Sequence, residues 1–437
     1  MPDVEQSQIP RPLARNRNYN VVLVSQLLSE IGGQVSLFAI PLVVLALTGS
    51  AVTAGAAGTV NAMVRLLVLI PAGALVDRWN RKRVLIACEL VRIPVLAALV
   101  LALWRGDEGL GLVFLVAAVD GAAAALFTPA EEALLPQLVH PSQLPEAVSR
   151  NAARSYLATL VGPGLGGLLL AARQWLPFAV NAVTFAASFV LLLFLRLPAA
   201  VAAPARQGGS LAGDLKVGVR FIRERPVLRS ALLVAVAVSI AFNALYLLVV
   251  TLAKRSGVPA DEIGVIGAMT GVGGLLGAVV APVLQRLIAP RVAIAGLGLV
   301  GAAVTPLLVL GTSAYLFGAV LAAIAFCAPT VHATVVVYQM SVTPDGLRGR
   351  VGAAMALTGG VAGVAGPLLG GVLADTAGRG TAVAVFVGLL LLAALGAGLS
   401  RTLRAFPDVR SALPAAGSAP EPTRSAEPAE NIGDPVP

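Results

Sequence analysis

Apolar stretches long enough to cross a bilayer recur from one end of this 437-residue chain to the other, and they leave little freedom in what it can fold into. About 20 residues of helix, at a rise of about 1.5 Å each, span a hydrocarbon layer of about 30 Å. Nothing in such a layer can hydrogen-bond an exposed peptide group, so each stretch must be a helix that satisfies its own backbone. The period-2 alternation of a membrane barrel is absent. The pattern predicts twelve spans, at 20–46, 53–76, 84–104, 110–134, 148–171, 175–196, 229–252, 262–285, 291–312, 314–338, 350–373 and 380–402. The chain is 57% hydrophobic and 12% charged, with a mean hydropathy of +0.88, which leaves too little polar surface for a water-soluble protein of this length. Its 46 glycines suit helices that pack closely without a hydrophobic driving force.

A net charge of +9 raises nucleic acid as a partner, but the distribution of charge argues against it. With the N-terminus placed inside, most Lys and Arg fall on cytoplasmic segments. Arg105, Arg173, Lys254, Arg255 and Arg379 fall outside, and Arg65 and Arg92 are taken as lying within spans. That asymmetry is the positive-inside pattern, so the basic balance reports orientation: a multi-pass inner (plasma) membrane protein with both termini cytoplasmic. The first 19 residues are polar and carry Arg11, Arg15 and Arg17 without a small-residue cleavage site, so the first span is expected to be retained. Cys88 and Cys327 sit singly in apolar segments and read as core thiols. His140 and His332 have no Cys, Asp or Glu at ligand spacing, so neither a metal nor a cofactor is expected.

The hydrophobic pattern divides the chain into a cytoplasmic tail (1–19), six spans (20–196), a linker (197–228), six more spans (229–403) and a disordered cytoplasmic tail (404–437). In the linker, PAAVAAPARQGGS precedes a segment in which Leu211, Leu215, Val219 and Ile222 oppose Lys216, Arg220 and Arg223. This reads as an amphipathic helix on the membrane surface, or equally as a solvated linker helix. The two sets of spans echo each other. GPGLGG at 162–167 recurs as GPLLGG at 366–371, HPSQLPEAV at 140–148 as TPDGLRGRV at 343–351, and Asp77-Arg78 as Gln285-Arg286. Three matches in order at nearly one spacing indicate a duplicated six-helix unit, and parallel six-helix repeats around a midplane site are a transporter architecture.

Between spans 2 and 3 lies GALVDRWNRKR, at 73–83. Here the sequence resembles the major facilitator superfamily, whose loop motif has the form G-x-L-x-D-R-x-G-R-[KR]-x. Gly73, Leu75, Asp77, Arg78, Arg81 and Lys82 fall on its positions, while Asn80 replaces the second glycine. GPGLGG resembles the glycine–proline motif of the drug:proton antiporters. FTPAEEALLPQLV (127–139) and PFAVNAVTF (177–185) resemble the macrolide-efflux and enterobactin-exporter branch. The resemblance implies an all-α fold of two pseudo-symmetric six-helix bundles around a central cavity. It implies that Asp77 closes a cytoplasmic gate against the start of span 11, where Arg348 and Arg350 lie, with Arg78, Arg81 and Lys82 as its charge network. The alternative is that these basic residues only fix topology. It also implies that Gly162, Pro163, Gly166 and Gly167, with Gly366, Pro367, Gly370 and Gly371, are packing positions, span 5 sealing against span 8 through Gly271, Gly273, Gly274 and Gly277. The superfamily's usual Arg in span 4 is missing, since residue 117 is Ala, so its role has no carrier here.

Ionisable groups inside a membrane are costly and default to function. Glu30, Arg65 and Asp120 lie deep. A Glu30–Arg65 pair is expected, with Glu30 or Asp120 titrating during transport; a permanent structural pair is the competing reading. A mid-membrane carboxyl that exchanges a proton is what proton antiport requires. Glu89 and Arg92, three residues apart, read as a self-neutralising structural pair. Gln26, Glu30 and Gln34 share a face of span 1, directed with Asp120 to the cavity by the family's arrangement. The second half offers only neutral polar groups at that depth: Asn243, Tyr246, His332, Tyr338 and Gln339, with Phe242, Phe317 and Phe326 nearby. Such a site suits an amphiphilic organic molecule better than a phosphate, which would need clustered Arg or Lys. The site residues point to proton-driven efflux of a hydrophobic or amphiphilic small molecule by a chain acting as a monomer, and the resemblance implies a drug, macrolide-like antibiotic or siderophore as that molecule. Import or uniport of a metabolite is the runner-up, and a non-transporting membrane sensor is a remoter one. No HExxH, GxSxG or P-loop supports an enzyme.

Overall fold

A computed structural model describes residues 12–107, 109–196, 211–344 and 347–400. Its helices are α1 (Arg17–Thr48), α2 (Ala51–Arg78), α3 (Arg81–Arg105), α4 (Leu110–Leu138), α5 (Leu144–Ala172), α6 (Leu176–Leu193), α7 (Leu211–Glu224), α8 (Pro226–Arg255), α9 (Ala260–Leu287), α10 (Pro290–Val304), α11 (Ala314–Val342), α12 (Arg348–Thr376) and α13 (Arg379–Leu399). All but α7 are long and apolar enough to cross a membrane, α10 only together with the 3-10 turn that extends it to Val309, and the described residues contain no strand. The observed spans match those expected from hydropathy, usually running a turn further. The ninth differs: α10 stops at Val304, and Pro306 leads the chain into a 3-10 turn, Thr305–Val309.

The connections are short and their chemistry is local. Asn80, which stands where the loop motif has glycine, accepts a 3.3 Å hydrogen bond from Arg83 N and so caps α3. The departure from the motif replaces a flexible residue with a helix start signal. Gly49 closes α1 at φ 68°, a left-handed conformation that favours glycine.

Each set of six packs in the same way. In the first, α1 packs on α5 and α6, α2 on α4, and α3 on α4 and α6; in the second, α8 packs on α12 and α13, α9 on α11, and α10 on α11 and α13. The two most extensive contacts between the sets are α2 with α12 and α5 with α9, and these are counterparts under the repeat. The glycine motifs make both kinds of joint. A Cβ on Gly162 would lie 2.3 Å from Gln34 Cβ of α1, and one on Gly371 only 2.3 Å from Ala51 O of α2. Gly166 likewise fits against α1, and Gly366 and Gly370 against α8. Gly167 crosses to Gly264 of α9, where Pro163 also rests on Gly267. Pro367 meets Gly55 and Gly58 of α2. One sequence pattern thus builds the same two contacts twice, one within a half and one between halves.

Not every glycine in α9 serves the α5 joint. Gly271 does, against Leu160, but Gly273 and Gly277 receive α11 at Ala322 and Phe326, and Gly274 has nothing within 4 Å. The α5 contact also uses Gly267 and Gly264, about one and two turns before Gly271. At 100° per residue, positions 273 and 277 lie on a different face from 264, 267 and 271.

The described chain ends and α7 lie on one face of the bundle, called here the near face. There Leu13 is buried, Asn16 donates to Leu138 O at 2.7 Å and Asn18 to Arg196 O at 2.6 Å, so residues 12–16 fold beneath the first half. α7 buries Gly218 and Ile222 against the start of α12, with Gly218 directly under Arg350 O. Val219, expected on its apolar face, is 42% exposed, because the close approach at Gly218 turns that face away.

Candidate functional site

A cavity of about 310 Å³ lies between the halves. Phe38, Phe185 and Phe242 give it apolar walls, with Gln34, Asn61, Asn243 and Tyr246 as neutral polar groups. Its charged wall is Arg92 and Asp120. Of the phenylalanines expected near the site only Phe242 reaches it. Phe317 is fully buried in the second half, and Phe326 packs its backbone on Gly277.

Arg92 is not merely the partner of Glu89. Its Nε lies 3.2 Å from Asp120 Oδ1, while Nη1 is 4.0 Å from Glu89 Oε2. Nη2 also donates to the Asp120 carbonyl at 3.4 Å. The guanidinium stacks 4.9 Å from the Phe185 ring centroid, and Ser188 donates to Glu89 at 2.8 Å. Asn61 donates to Asp120 Oδ2 at 3.3 Å. The expected self-contained α3 pair is therefore a cluster spanning α2, α3, α4 and α6. Glu89 is fully buried, whereas the Asp120 side chain is 36% exposed to the cavity side.

A second cluster replaces the expected Glu30–Arg65 pair. Arg154 of α5 meets Glu30 Oε2 through Nε at 3.0 Å and Glu131 Oε1 through Nη1 at 2.7 Å, and also donates to Gln26 Oε1. Arg65 is exposed on α2, with no hydrogen bond or ion pair among the described residues. The reason is packing: α1 lies against α5, whereas the Arg65 backbone faces Gly121 of α4. Arg154 and Glu131 were missed by sequence reasoning although a signal existed. Both fall inside expected spans, 148–171 and 110–134, and Arg154 lies about as far from the near end of α5 as Glu30 does from that of α1.

Both clusters carry two carboxylates around one guanidinium. With every group ionised each holds a net charge of −1 inside the bilayer, and a single proton neutralises it. They differ in access. Asp120 lines the cavity; Gln26, Glu30, Glu131 and Arg154 do not.

The remaining candidates are scattered. His332 lines a second, more open pocket of about 460 Å³ with Tyr156 and Gln285, which meets the first cavity at Phe242, and Gln339 is buried on α11 and lines neither. Lys82 of the loop motif donates to Leu193 O at 3.0 Å and Leu195 O at 2.7 Å, so it caps the end of α6 instead of joining a gate network. Arg81 is half-buried and Arg350 exposed. The side chains of Asp77, Arg78 and Arg348, like Gly73, lie outside the described residues, as do 197–210 and the expected tail at 404–437.

The comparisons with known proteins agree with this architecture. The family model described as Major Facilitator Superfamily matches residues 22–367. The multidrug efflux pump Tap of Mycolicibacterium fortuitum is 30% identical over 405 residues, covering 87% of this chain and 95% of Tap. The enterobactin exporter EntS of Escherichia coli O6:K15:H31 is 27% identical, covering 92% and 96%. Among solved structures, the nucleoside transporter NupG superposes with a TM-score of 0.68 at 14% identity, over 87% of this chain and 98% of that one. A bacterial homologue of the iron transporter ferroportin, in an inward-facing state, gives 0.66 at 18%, over 89% and 98%.

Proposed function

The chain belongs to the Major Facilitator Superfamily, a multi-pass membrane transporter of small molecules, and on that premise we propose that it is a proton-coupled exporter of hydrophobic or amphiphilic molecules. The observation that carries this reading is the cavity: apolar and aromatic on most sides, bounded by both halves, with one carboxylate, Asp120, that a bound molecule can reach. Such walls suit a drug, a macrolide-like antibiotic or a siderophore, and the names of Tap and EntS support export of that kind. Alternating access moves the cavity from the near face, which is cytoplasmic, to the far face. The chain works as a monomer.

Coupling rests on the excess carboxylate in each cluster. Asp120 is where proton and substrate meet. Glu30 and Glu131 hold their proton out of the substrate's reach, and relaxation of the Arg154 cluster moves α1, α4 and α5 together. The test uses purified protein in liposomes with an imposed pH gradient and ethidium as probe. Ethidium accumulation should follow the gradient, and added ethidium should dissipate it. Asp120→Asn and Glu131→Gln should each abolish gradient-driven accumulation while leaving downhill exchange. Equal downhill flux with and without the gradient in the parent protein would make it a uniporter, and gradient-driven flux of opposite sign an importer.

A further inference from the structure

On the far face, a single carboxylate ties the two halves together. Asp375, one residue before the end of α12, accepts from Ala51 N at 3.1 Å and Val52 N at 2.8 Å, the first free amides of α2. Ser50 Oγ donates to it at 3.0 Å, and the hydroxyl in turn accepts from Thr53 N at 3.2 Å. The N-terminus of a helix presents unpaired N–H groups and the positive end of its dipole, so an anion placed there is held by both. Here that anion comes from the other half. Arg255, the last residue of α8, completes the joint: its guanidinium pairs with Asp375, donates to Ala374 O at 2.5 Å and reaches Gly49 O of the first half at 3.4 Å.

We propose that Asp375 and Arg255 form the latch that closes the far face, and that its release is required for the cavity to open there. Three observations carry this. First, every bond named above except the Ser50–Thr53 cap and the Arg255 contacts to α12 crosses between halves, so separating them on this face must break those bonds together. Second, the latch is of a strength that a cycle can break. The side chains of Arg255 and Asp375 are 40% and 20% exposed, so water can replace the lost partners, unlike at the deep Glu89 cluster. Third, it caps a joint with no slack: one turn below, Gly371 fits against Ala51 O with no space for a Cβ. A tilt of one half therefore cannot be absorbed by bending at this point.

The latch also completes a reciprocal arrangement. α2 and α12 run antiparallel, and each ends with an Asp one residue before its last position, Asp77 at the near face and Asp375 at the far face. The counterpart of Asp77 is therefore found at the other end of this helix pair, not in the repeat position held by Gln285.

The experiment measures the far-face distance directly. In a background with Cys88 and Cys327 replaced by serine, spin labels go on Arg105→Cys and Thr312→Cys, both exposed far-face positions in opposite halves. Asp375→Asn and Arg255→Gln should each shift the distance distribution toward longer separations, while a reference pair within one half, Arg105→Cys with Arg173→Cys, stays unchanged. Parent-like distributions in both variants, with the reference pair intact, would overturn the proposal. If Asp375→Asn does not yield folded protein, Arg255→Gln decides alone. The inference rests on the transporter cycle but needs neither substrate nor pH gradient, so its failure is distinct from failure of proton coupling.

Discussion

The two halves share a scaffold and differ in charge. Helix pairings and glycine contacts repeat from one to the other, down to Gly162 and Gly366 seating the first helix of each half. Yet Glu30, Glu89, Arg92, Asp120, Glu131 and Arg154 lie well inside first-half helices, whereas described charges on second-half spans lie in a first or last turn. Small residues preserve a fold through duplication because backbone contact is indifferent to chemistry. Buried charges are not so preserved. Each demands partners, and a half that loses one partner is better off losing them all. The difference teaches that one half carries the buried ionisable groups while the other supplies a neutral wall, and the proposed coupling therefore rests on the first half.

The hardest blow to that comparison comes from Arg154→Ala. It leaves Glu30 and Glu131 facing each other without a cation, which should cost about 3–5 kcal/mol and be seen as a large loss of thermal stability in detergent. The triple variant Glu30→Gln/Glu131→Gln/Arg154→Gln should recover most of that stability and none of the coupling. A stable Arg154→Ala protein would mean that the cluster is not a buried charge balance.

The shared scaffold is tested at matched glycines. Gly371→Ala forces a methyl onto Ala51 O, and Gly167→Ala one onto Gly264, so each should cost about 1–3 kcal/mol by overpacking. Gly274→Ala, where nothing lies within 4 Å, should be neutral or slightly stabilising. Equal losses at all three would break the claim that the close approach at the motif glycines carries the joints. A smaller effect is expected from Lys82→Met. It removes a cationic cap from the end of α6 and should cost about 0.3–1 kcal/mol, with the transport rate unchanged, as befits a motif residue that serves its own half.

The scaffold was legible because its signals are local. A 20-residue apolar run reads as a span without knowing its neighbours, and GPGLGG with GPLLGG marks the same joints twice. The charge partners were not legible, because pairing depends on which face of a helix meets which neighbour. Glu30 and Arg65 lie at similar depth, yet α1 packs on α5, so depth alone chose the wrong cation. Arg154 was within reach of a stricter count of basic residues inside spans. Asp375 was not, since an acid near a helix end is ordinary until a second helix is seen starting beneath it.

His332 gives the smallest and sharpest test of the division of labour. It is the one His on a second-half span, so by residue type it is the candidate proton carrier of that half. Its surroundings argue otherwise. It lines the second pocket, with Tyr156, Pro329 and Gln285, and not the cavity wall that holds Asp120, and no described carboxylate pairs with it. A proton gained there would neutralise nothing. His332→Gln should therefore leave the pH profile of transport superimposable on the parent's, whereas Asp120→Asn flattens it. A profile shifted by His332→Gln would move part of the coupling into the second half and erase the asymmetry between them.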